Sequence, residues 1–166
     1  LVERRLKAEA AAETRRSQER IQMLASVLFF LVMLFPALDH RLGWSQEPAA
    51  ASLIGDVLVA LGFIVIFFVF KANSYTFGGV EVAADQKIVT TGPYAIVRHP
   101  MYSGALVMFV GMPLALGSWW GLLLVIPLTA VLVWRLADEE KFLDDELPGY
   151  REYRRIVRYR LVPAVY

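Results

Sequence analysis

Residues 101–116, MYSGALVMFVGMPLAL, and residues 119–134, WWGLLLVIPLTAVLVW, are two apolar stretches joined only by Gly117 and Ser118. So short a connection predicts an antiparallel helical hairpin with aromatic residues at one membrane interface. At about 1.5 Å per residue each helix would reach some 24 Å, slightly less than a hydrocarbon core of about 30 Å. The ends away from the turn are therefore expected to lie within the interface, where a pocket can form.

Two further apolar stretches precede the hairpin, at Ile21–Leu38 and Ala49–Phe70, and the second carries a single acid, Asp56. Hydrophobic residues make up 57% of the 166-residue chain, charged residues make up 20%, and the mean hydropathy is +0.49. So much apolar sequence, concentrated in blocks, exceeds what a soluble domain of this size buries. The sequence predicts an all-α polytopic membrane protein with about four transmembrane helices, including the C-terminal-half hairpin, plus cytosolic amphipathic segments.

The charged residues divide the chain into regions and orient it in the membrane. Residues 1–20 are predicted to be an N-terminal cytosolic polar helix, followed by two transmembrane helices within residues 21–70. Residues 71–100 are a turn-rich loop, because backbone groups in such a segment would lack partners inside a bilayer. If both termini are cytosolic, only Arg41 of the 17 Lys and Arg residues lies outside, and the positive-inside rule favours this topology.

The composition excludes several kinds of site and partner. There is no Cys, so disulfides, thiolate nucleophiles and thiolate ligands are absent. His40 and His99 lie on opposite sides of the membrane in this topology, and no metal-ligand constellation is found. No glycine-rich loop follows a strand, as it does in soluble nucleotide-binding folds. Basic residues border the spans and alternate with acids, so no nucleic-acid partner is expected. Whether residues precede Leu1 is left open.

The first group of chemistry-bearing residues is GPYAIVRHPMYSG, at residues 92–104. Pro100 fixes its own φ angle and disfavours helical geometry at His99, which predicts that Pro100 begins a helix with Arg98 and His99 just outside it. Unpaired N–H groups at a helix start also suit an anionic ligand group. In the alternative interpretation, Arg98 extends to lipid phosphates and His99 only caps the turn.

The second group is RLADEE, at residues 135–140, directly after the hairpin. Arg135 and Glu139 are four residues apart and share a helix face, whereas Glu140 lies about 100° further round. A simple interfacial salt bridge between Arg135 and Glu139 is the alternative to a functional role. Residues 146–166 then alternate tyrosines with arginines, which fits either a lipid-facing amphipathic tail or a lid over a cytosolic pocket.

Residues 89–166 resemble the C-terminal half of the isoprenylcysteine carboxyl methyltransferase and phospholipid methyltransferase superfamily of membrane enzymes. The resemblance rests on the order of several short motifs around a hairpin of this length, and it covers just under half of the chain. The N-terminal half matches only as generic spans. The motifs are Gly92-Pro93-Tyr94, Arg98-His99-Pro100-Met101-Tyr102 with Gly104, Arg135 with Glu139-Glu140, Gly149-Tyr150 with Tyr153, and Arg160-Leu161-Val162-Pro163.

The resemblance implies S-adenosylmethionine as cofactor and methyl transfer to a lipophilic substrate, such as an isoprenylcysteine-type carboxylate, at the cytosolic interface. Residues 71–166 would then be the catalytic region, made of the cytosolic loop 71–100, the hairpin 101–134 and the C-terminal cytosolic segment 135–166. The implied catalytic residues are Arg98, Arg135 and Glu139. The implied cofactor-binding residues are Tyr94, His99, Pro100, Met101, Tyr102 and Glu140.

The chemistry of methyl transfer agrees with these residue types. Transfer from a sulfonium is an in-line displacement that requires positioning and partial desolvation more than a strong acid or base. Arg135 or Arg98 would orient a carboxylate acceptor, and Glu139 would accept a proton from an amine acceptor. The motifs do not separate prenylated carboxylates, phospholipid headgroup amines and other lipophilic small molecules, and four spans give no oligomeric state.

Two alternatives stay open at the level of the sequence. NADPH-dependent membrane sterol reductases have a similar C-terminal pattern with an Arg-His-Pro, although Gly92-Pro93-Tyr94 and Met101-Tyr102 favour methyl transfer. A non-enzymatic membrane scaffold would use its Arg and Glu residues only as anchors, and it would bind no nucleotide cofactor.

Overall fold

The computed structural model describes residues 2–73 and 88–165, with side chains from residue 18 onward. Every regular element in these residues is a helix, so the predicted all-α membrane fold is confirmed. Residues 74–87 of the predicted loop lie outside the described residues. The elements are α1 (Val2–Leu42), α2 (Ala49–Ala72), a 3-10 turn (Gly92–Ala95), α3 (Pro100–Ala115), α4 (Gly121–Glu146) and α5 (Tyr150–Ile156).

Three described helices are long and apolar enough to cross a membrane: residues Gln18–Leu42 of α1, all of α2 and all of α4. The fourth apolar helix, α3, has 16 residues and is shorter than the other three. Helix α1 runs without a break from the charged N-terminal residues into the first apolar stretch, so the predicted polar helix and the first span are one continuous helix.

Helices α3 and α4 form the hairpin that the sequence predicts. Gly117 lies in the turn with a φ angle of +76°, a conformation that glycine adopts without strain. The Ser118 hydroxyl accepts a hydrogen bond of 2.9 Å from the Gly121 N–H and so holds the start of α4. Helix α4 does not end with its apolar residues at Trp134 but continues to Glu146. The second group of chemistry-bearing residues is therefore carried by a helix that is anchored in the bundle.

Helices α2 and α3 pack closely through pairs of glycines, Gly55 and Gly62 on α2 and Gly104 and Gly111 on α3. A Cβ atom on Gly62 would meet the Gly104 carbonyl oxygen at 2.7 Å, and one on Gly111 would meet the Gly55 carbonyl oxygen at 2.7 Å. In lipid, small residues permit the close backbone approach on which helix association depends. The glycines therefore position α3, and with it the loop that precedes α3.

Helix α3 contacts α2, α4 and α1, and α1 packs mainly along α4. The 3-10 turn contacts α2, and α5 contacts α4. The loop before α3 and the residues after the apolar part of α4 are thereby brought to the same end of the bundle. The buried core shared by α1, α3 and α4 contains Val32, Phe109, Val125, Leu128 and Leu132.

Asp39 joins the helices at the other end of the bundle, beside the α3–α4 turn. Its buried carboxylate accepts hydrogen bonds from the Ser45 hydroxyl at 2.6 Å, from the Ser45 N–H at 2.9 Å and from the Ser118 hydroxyl. These bonds tie the end of α1 to the hairpin turn. His40 also lies at this end, next to the turn, whereas His99 precedes α3 at the opposite end, in agreement with the sequence prediction.

Replacing Gly62 with Ala is expected to destabilise the protein in detergent by about 1–3 kcal/mol, because the new Cβ would press against the backbone of α3. Ala60 lies exposed on the same helix, so Ala60→Val adds volume without this contact and serves as the control. Thermal unfolding of the purified variants measures the difference. Equal unfolding midpoints for the two variants would contradict the glycine-packed interface.

Candidate active site

The loop before α3 directs two basic side chains into the protein. Pro100 is the first residue of α3, and His99 before it has a non-helical backbone with φ −124° and ψ 62°. A proline imposes this kind of restriction on the residue that precedes it. Arg98 and His99 lie just outside the helix, as predicted, and are only 7% and 5% exposed. Such burial does not agree with the alternative in which Arg98 extends to lipid phosphates.

Glu140 of α4 is the centre of a buried ionic cluster. Its Oε1 atom lies 2.7 Å from Arg98 Nε and 3.2 Å from His99 Nε2. Its Oε2 atom lies 3.0 Å from Nε of Arg160, which comes from the C-terminal part of the chain. A buried carboxylate is tolerated only with such partners, because removing its charge from water is costly. The cluster therefore joins three parts of the chain that are distant in sequence.

Residues 157–161, which we term the C-terminal strap, run across the loop before α3. The Arg98 backbone N–H donates a hydrogen bond of 2.9 Å to the Tyr159 carbonyl. The next N–H, that of His99, donates to the Arg160 carbonyl at 3.0 Å. The two segments are thus paired through their backbones as well as through Glu140.

Side chains fasten the strap at both of its ends. The Arg98 guanidinium donates through Nη1 to the carbonyls of Val157 and Arg158, at 3.0 Å and 2.7 Å. At the other end, the Ser103 hydroxyl donates a bond of 2.6 Å to the Leu161 carbonyl. The strap therefore covers the start of α3.

A second polar group, made of Tyr102, Glu139 and Arg135, lies beside the ionic cluster. The Tyr102 hydroxyl donates a hydrogen bond of 2.7 Å to Glu139 Oε2. Arg135 lies next to this hydroxyl and also donates to the side-chain oxygen of Gln22 on α1. In the part of the chain that the structure describes, Arg135 forms no ion pair with Glu139. The two residues are therefore held separately, and the simple salt bridge does not account for them.

Tyr94 is attached to the site through its neighbours on α2 and α5. Its carbonyl accepts a hydrogen bond of 2.7 Å from the Tyr153 hydroxyl, and its own hydroxyl accepts one of 3.1 Å from the Asn73 side chain. Tyr150 and Tyr153 of α5 are both buried. Burial raises the pKa of both phenols, so they remain neutral at physiological pH. Helix α5 thus packs its aromatic face inward, behind the loop.

Two buried polar atoms of the site, Nε of Arg135 and the hydroxyl of Tyr150, have no partner among the described residues. Oε2 of Glu140 accepts no hydrogen bond there either, but it lies 3.0 Å from Arg160 Nε in an ion pair. Most buried polar atoms in proteins are hydrogen-bonded, so each exception requires an explanation. The Arg135 donor suits an acidic group of a ligand. Side chains arranged to hold a metal ion are not found in the described ranges.

The predicted site residues fall into three groups in the structure. The residues in contact with Glu140 are Arg98 and His99; the adjacent polar group is Tyr102, Glu139 and Arg135; the remaining predictions are Tyr94, Pro100 and Met101. Of the last group, Pro100 is buried at the start of α3 and sets the backbone of the loop, and Met101 is half-buried beside it. Tyr94 reaches the other groups only through intermediate residues.

Three residues of the site were not predicted: Arg160, Gln22 and Asn73. Arg160 lies in the Arg160-Leu161-Val162-Pro163 motif, which was part of the resemblance, so a signal was present without a role attached to it. Gln22 and Asn73 are isolated polar residues near the ends of α1 and α2, and their contacts depend on the packing of the bundle.

A family model described as phospholipid methyltransferase matches residues 50–147, more than half of the chain. The chain belongs to this family. The matched residues include α2, the loop before α3, the hairpin and Glu140, so the family region contains most of the site. The superfamily predicted from the motifs is thereby confirmed. Gln22 on α1, the tyrosines of α5 and the whole strap, including Arg160, lie outside the matched region.

The curated relatives that resemble this chain include methyltransferases and a reductase. A probable protein-S-isoprenylcysteine O-methyltransferase of Oryza sativa subsp. indica is 30% identical over 110 residues, covering 61% of this chain and 58% of the relative. Protein-S-isoprenylcysteine O-methyltransferase B of Arabidopsis thaliana is 29% identical over 127 residues, covering 72% and 57%. The Delta(14)-sterol reductase of Mus musculus is 33% identical over 138 residues, covering 72% and 33%. The chain thus spans between a third and three fifths of these relatives' length.

Replacing Glu140 with Gln is expected to destabilise this family member by about 3–5 kcal/mol, because buried basic groups would lose their counter-charge. The matched control is Asp145→Asn, which removes a carboxylate from an exposed pair with Arg151 at 3.4 Å. That change is expected to cost less than about 0.5 kcal/mol. Thermal unfolding in detergent compares the two, and a Glu140→Gln protein as stable as the control would contradict the role of the cluster.

Proposed function

We propose that the protein transfers a methyl group from S-adenosylmethionine to a lipophilic acceptor at the membrane interface. The observation that carries this proposal is the pair of separately held side chains, Arg135 and Glu139, beside the Glu140 cluster and within the region that the family model matches. A plain membrane anchor has no need of a buried donor without a partner. A methyltransferase requires such a donor to bind a polar substrate group.

The depth of the site suits an acceptor with a lipid tail. Helix α4 begins at Gly121, and at about 1.5 Å per residue Glu140 lies roughly 28 Å further along it. This length is close to the hydrocarbon thickness of about 30 Å, so the site is at the boundary between lipid and water. An acceptor can therefore keep its tail in the bilayer while its polar end reaches Arg135.

The residues present fit S-adenosylmethionine, whose methionyl part carries one ammonium and one carboxylate. The Glu140 carboxylate supplies a buried negative charge for the ammonium, and Tyr94, His99 and Tyr102 beside it offer contacts for other polar groups. Pro100 and Met101 form the apolar start of α3 next to these polar residues. When bound, this cofactor supplies an electrophilic methyl group on a positively charged sulfur.

Arg98, Arg135 and Glu139 have separate roles in the proposed reaction. In the described part of the chain, the Arg98 side chain contacts Glu140 and the strap. Its role is therefore to hold the loop before α3 against the strap, which positions His99 and Tyr102. Arg135 keeps its Nε donor for the acceptor, and Gln22 fixes the other side of the guanidinium. Glu139, oriented by Tyr102, is placed to accept a proton when the acceptor is an amine. Burial excludes water and strengthens these electrostatic contacts.

We propose an isoprenylcysteine-type carboxylate as the acceptor class. Two relatives are isoprenylcysteine O-methyltransferases by name, and an oxygen acceptor of this kind is already nucleophilic at neutral pH. An Arg donor orients a carboxylate through charge-assisted hydrogen bonds, which Arg135 Nε can supply. Phospholipid headgroup amines are the second acceptor class and would rely on Glu139 instead.

The proposal includes a topology in which both termini are cytosolic. Residues 71–166 then form the catalytic region, with the loop 71–100, the hairpin 101–134 and the segment 135–166 meeting at the cytosolic face. The distribution of Lys and Arg supports this orientation, since all but Arg41 then lie on that side. Membrane lipids surround the site, and no nucleic acid takes part.

A membrane reductase is the second candidate function, and the 33% identity to the Delta(14)-sterol reductase favours it. Such an enzyme would bind NADPH in place of S-adenosylmethionine. Two observations support methyl transfer instead. Gly92-Pro93-Tyr94 forms the 3-10 turn that carries Tyr94, and Tyr102 contacts Glu139. The two candidates differ most directly in the cofactor that they bind.

Calorimetric titration of the purified protein in detergent distinguishes these functions. S-adenosylmethionine and its demethylated product are expected to bind saturably, and NADPH is expected not to bind. Glu140→Ala and His99→Ala are expected to weaken binding of the sulfonium compound, whereas Asp145→Asn, in an exposed pair, is expected to leave it unchanged. Binding of NADPH alone would favour the reductase, and binding of neither compound would favour the scaffold.

Turnover of variants assigns roles within the site. Arg135→Leu is expected to lower kcat/KM for a prenylated carboxylate by about 10- to 100-fold while binding of S-adenosylmethionine is retained, because a charge-assisted hydrogen bond to the acceptor is lost. Glu139→Gln is expected to have a smaller effect with a carboxylate than with an amine. Transfer of a labelled methyl group in reconstituted membranes measures both, and Arg151→Leu is the exposed-arginine control. Full activity of Arg135→Leu would contradict its role.

A further inference from the structure

The outer face of the C-terminal strap and its flanks carries exposed apolar and basic side chains that the active site does not use. Ile156 and Val165 are 80% and 79% exposed, and Val162 and Tyr159 are 47% and 41% exposed. Arg158, next to Tyr159 in the chain, is also exposed. We term these five residues the strap face.

The hydrogen bonds of the strap fix how deep this face lies in the membrane. Ser103, in the first turn of α3, donates to the Leu161 carbonyl at 2.6 Å, and Arg98 just before α3 donates from its backbone to the Tyr159 carbonyl at 2.9 Å. Helix α3 is apolar and begins at Pro100, so its first turn lies at the boundary between lipid and water. The strap lies at the same level, and its exposed side chains are therefore at the bilayer surface.

Arg158 differs from the arginines of α5. Those arginines, Arg151, Arg154 and Arg155, line a charged cleft with Asp144 and Asp145. Within the described ranges, Arg158 has no acidic partner. Only its backbone carbonyl is used by the site, where it accepts the bond from Arg98.

We propose that the strap face binds the anionic headgroups of the adjoining leaflet. Exposed apolar side chains next to an arginine form an amphipathic surface, which partitions into the headgroup region with its basic group on anionic lipids. Tyr159 has the amphipathic ring that is enriched at this depth. Negatively charged lipid supplies the counter-charge that Arg158 lacks within the described part of the protein. The occupant of the face is thus the membrane surface itself.

Contact between the strap and the membrane also stabilises the residues beneath the strap. The carbonyls of residues 157–161 hold Arg98, His99 and Ser103, so a strap that rests on the membrane keeps these bonds closed. Each arginine near an anionic surface shifts the equilibrium between the membrane-bound and the released strap about fivefold toward the bound state. Anionic lipid is therefore expected to hold the strap against the bilayer more firmly than neutral lipid does.

The absence of Cys from the chain permits a direct measurement of depth. Val165→Cys carries a nitroxide spin label, and the full-length protein is reconstituted in nanodiscs of phosphatidylcholine alone or mixed with anionic phosphatidylglycerol. Power saturation compares collision of the label with oxygen, which enriches in lipid, and with a water-soluble nickel chelate. The measurement depends on no enzymatic activity, so its outcome is separate from that of the proposed function.

The label is expected to become several-fold less accessible to the nickel chelate in the anionic nanodiscs. Arg158→Glu is expected to abolish this difference, because the face then repels the anionic surface. Arg151→Glu, on the charged cleft, changes the net charge without changing the face and is expected to preserve the difference. Equal accessibility in the two lipids, or the same loss in the Arg151→Glu control, would overturn the proposal.

Discussion

The buried carboxylate of Glu140 is the interaction on which the site depends. It compensates the charges of Arg98 and Arg160 and contacts the ring of His99, and these residues come from the loop before α3 and from the strap. Without that carboxylate, positively charged groups would lie next to one another in a region of low dielectric. The cost of that arrangement gives the extension of α4 beyond its apolar part a structural role, since this extension brings the Glu140 carboxylate to the loop.

Packing in the membrane makes this ionic arrangement possible. The glycines of α2 and α3 allow backbone contact, and they set the height at which α3 begins. At the other end of the bundle, Asp39 joins α1 to the hairpin turn. With both ends fixed, the polar groups of α4 face the loop before α3 at one end of the bundle. The proposed transfer to a lipophilic acceptor needs its polar chemistry at such an end, where lipid meets water.

Much of this architecture is contained in local sequence signals. The short break at Gly117 and Ser118 between two apolar stretches specifies the hairpin, although the helices themselves end at Ala115 and resume at Gly121. Pro100 specifies where α3 begins. Contacts between distant segments carry no such signal. The pairing of the strap with Arg98 and His99 depends on where the chain returns after α5, and a tail rich in tyrosine and arginine fits a lipid-facing role equally well. Gln22 beside Arg135 likewise depends on the rotation of α1 against α4.

Hydrogen exchange of the peptide containing Arg98 and His99 tests the role of Glu140 most directly. The backbone N–H groups of these residues are bonded to the strap, so their exchange reports whether the strap stays closed. In Glu140→Gln, this peptide is predicted to exchange at least about tenfold faster than in the native protein, while peptides from the middle of α3 keep their rates. Unchanged exchange at Arg98 and His99 would show that the strap closes without Glu140 and would contradict the account.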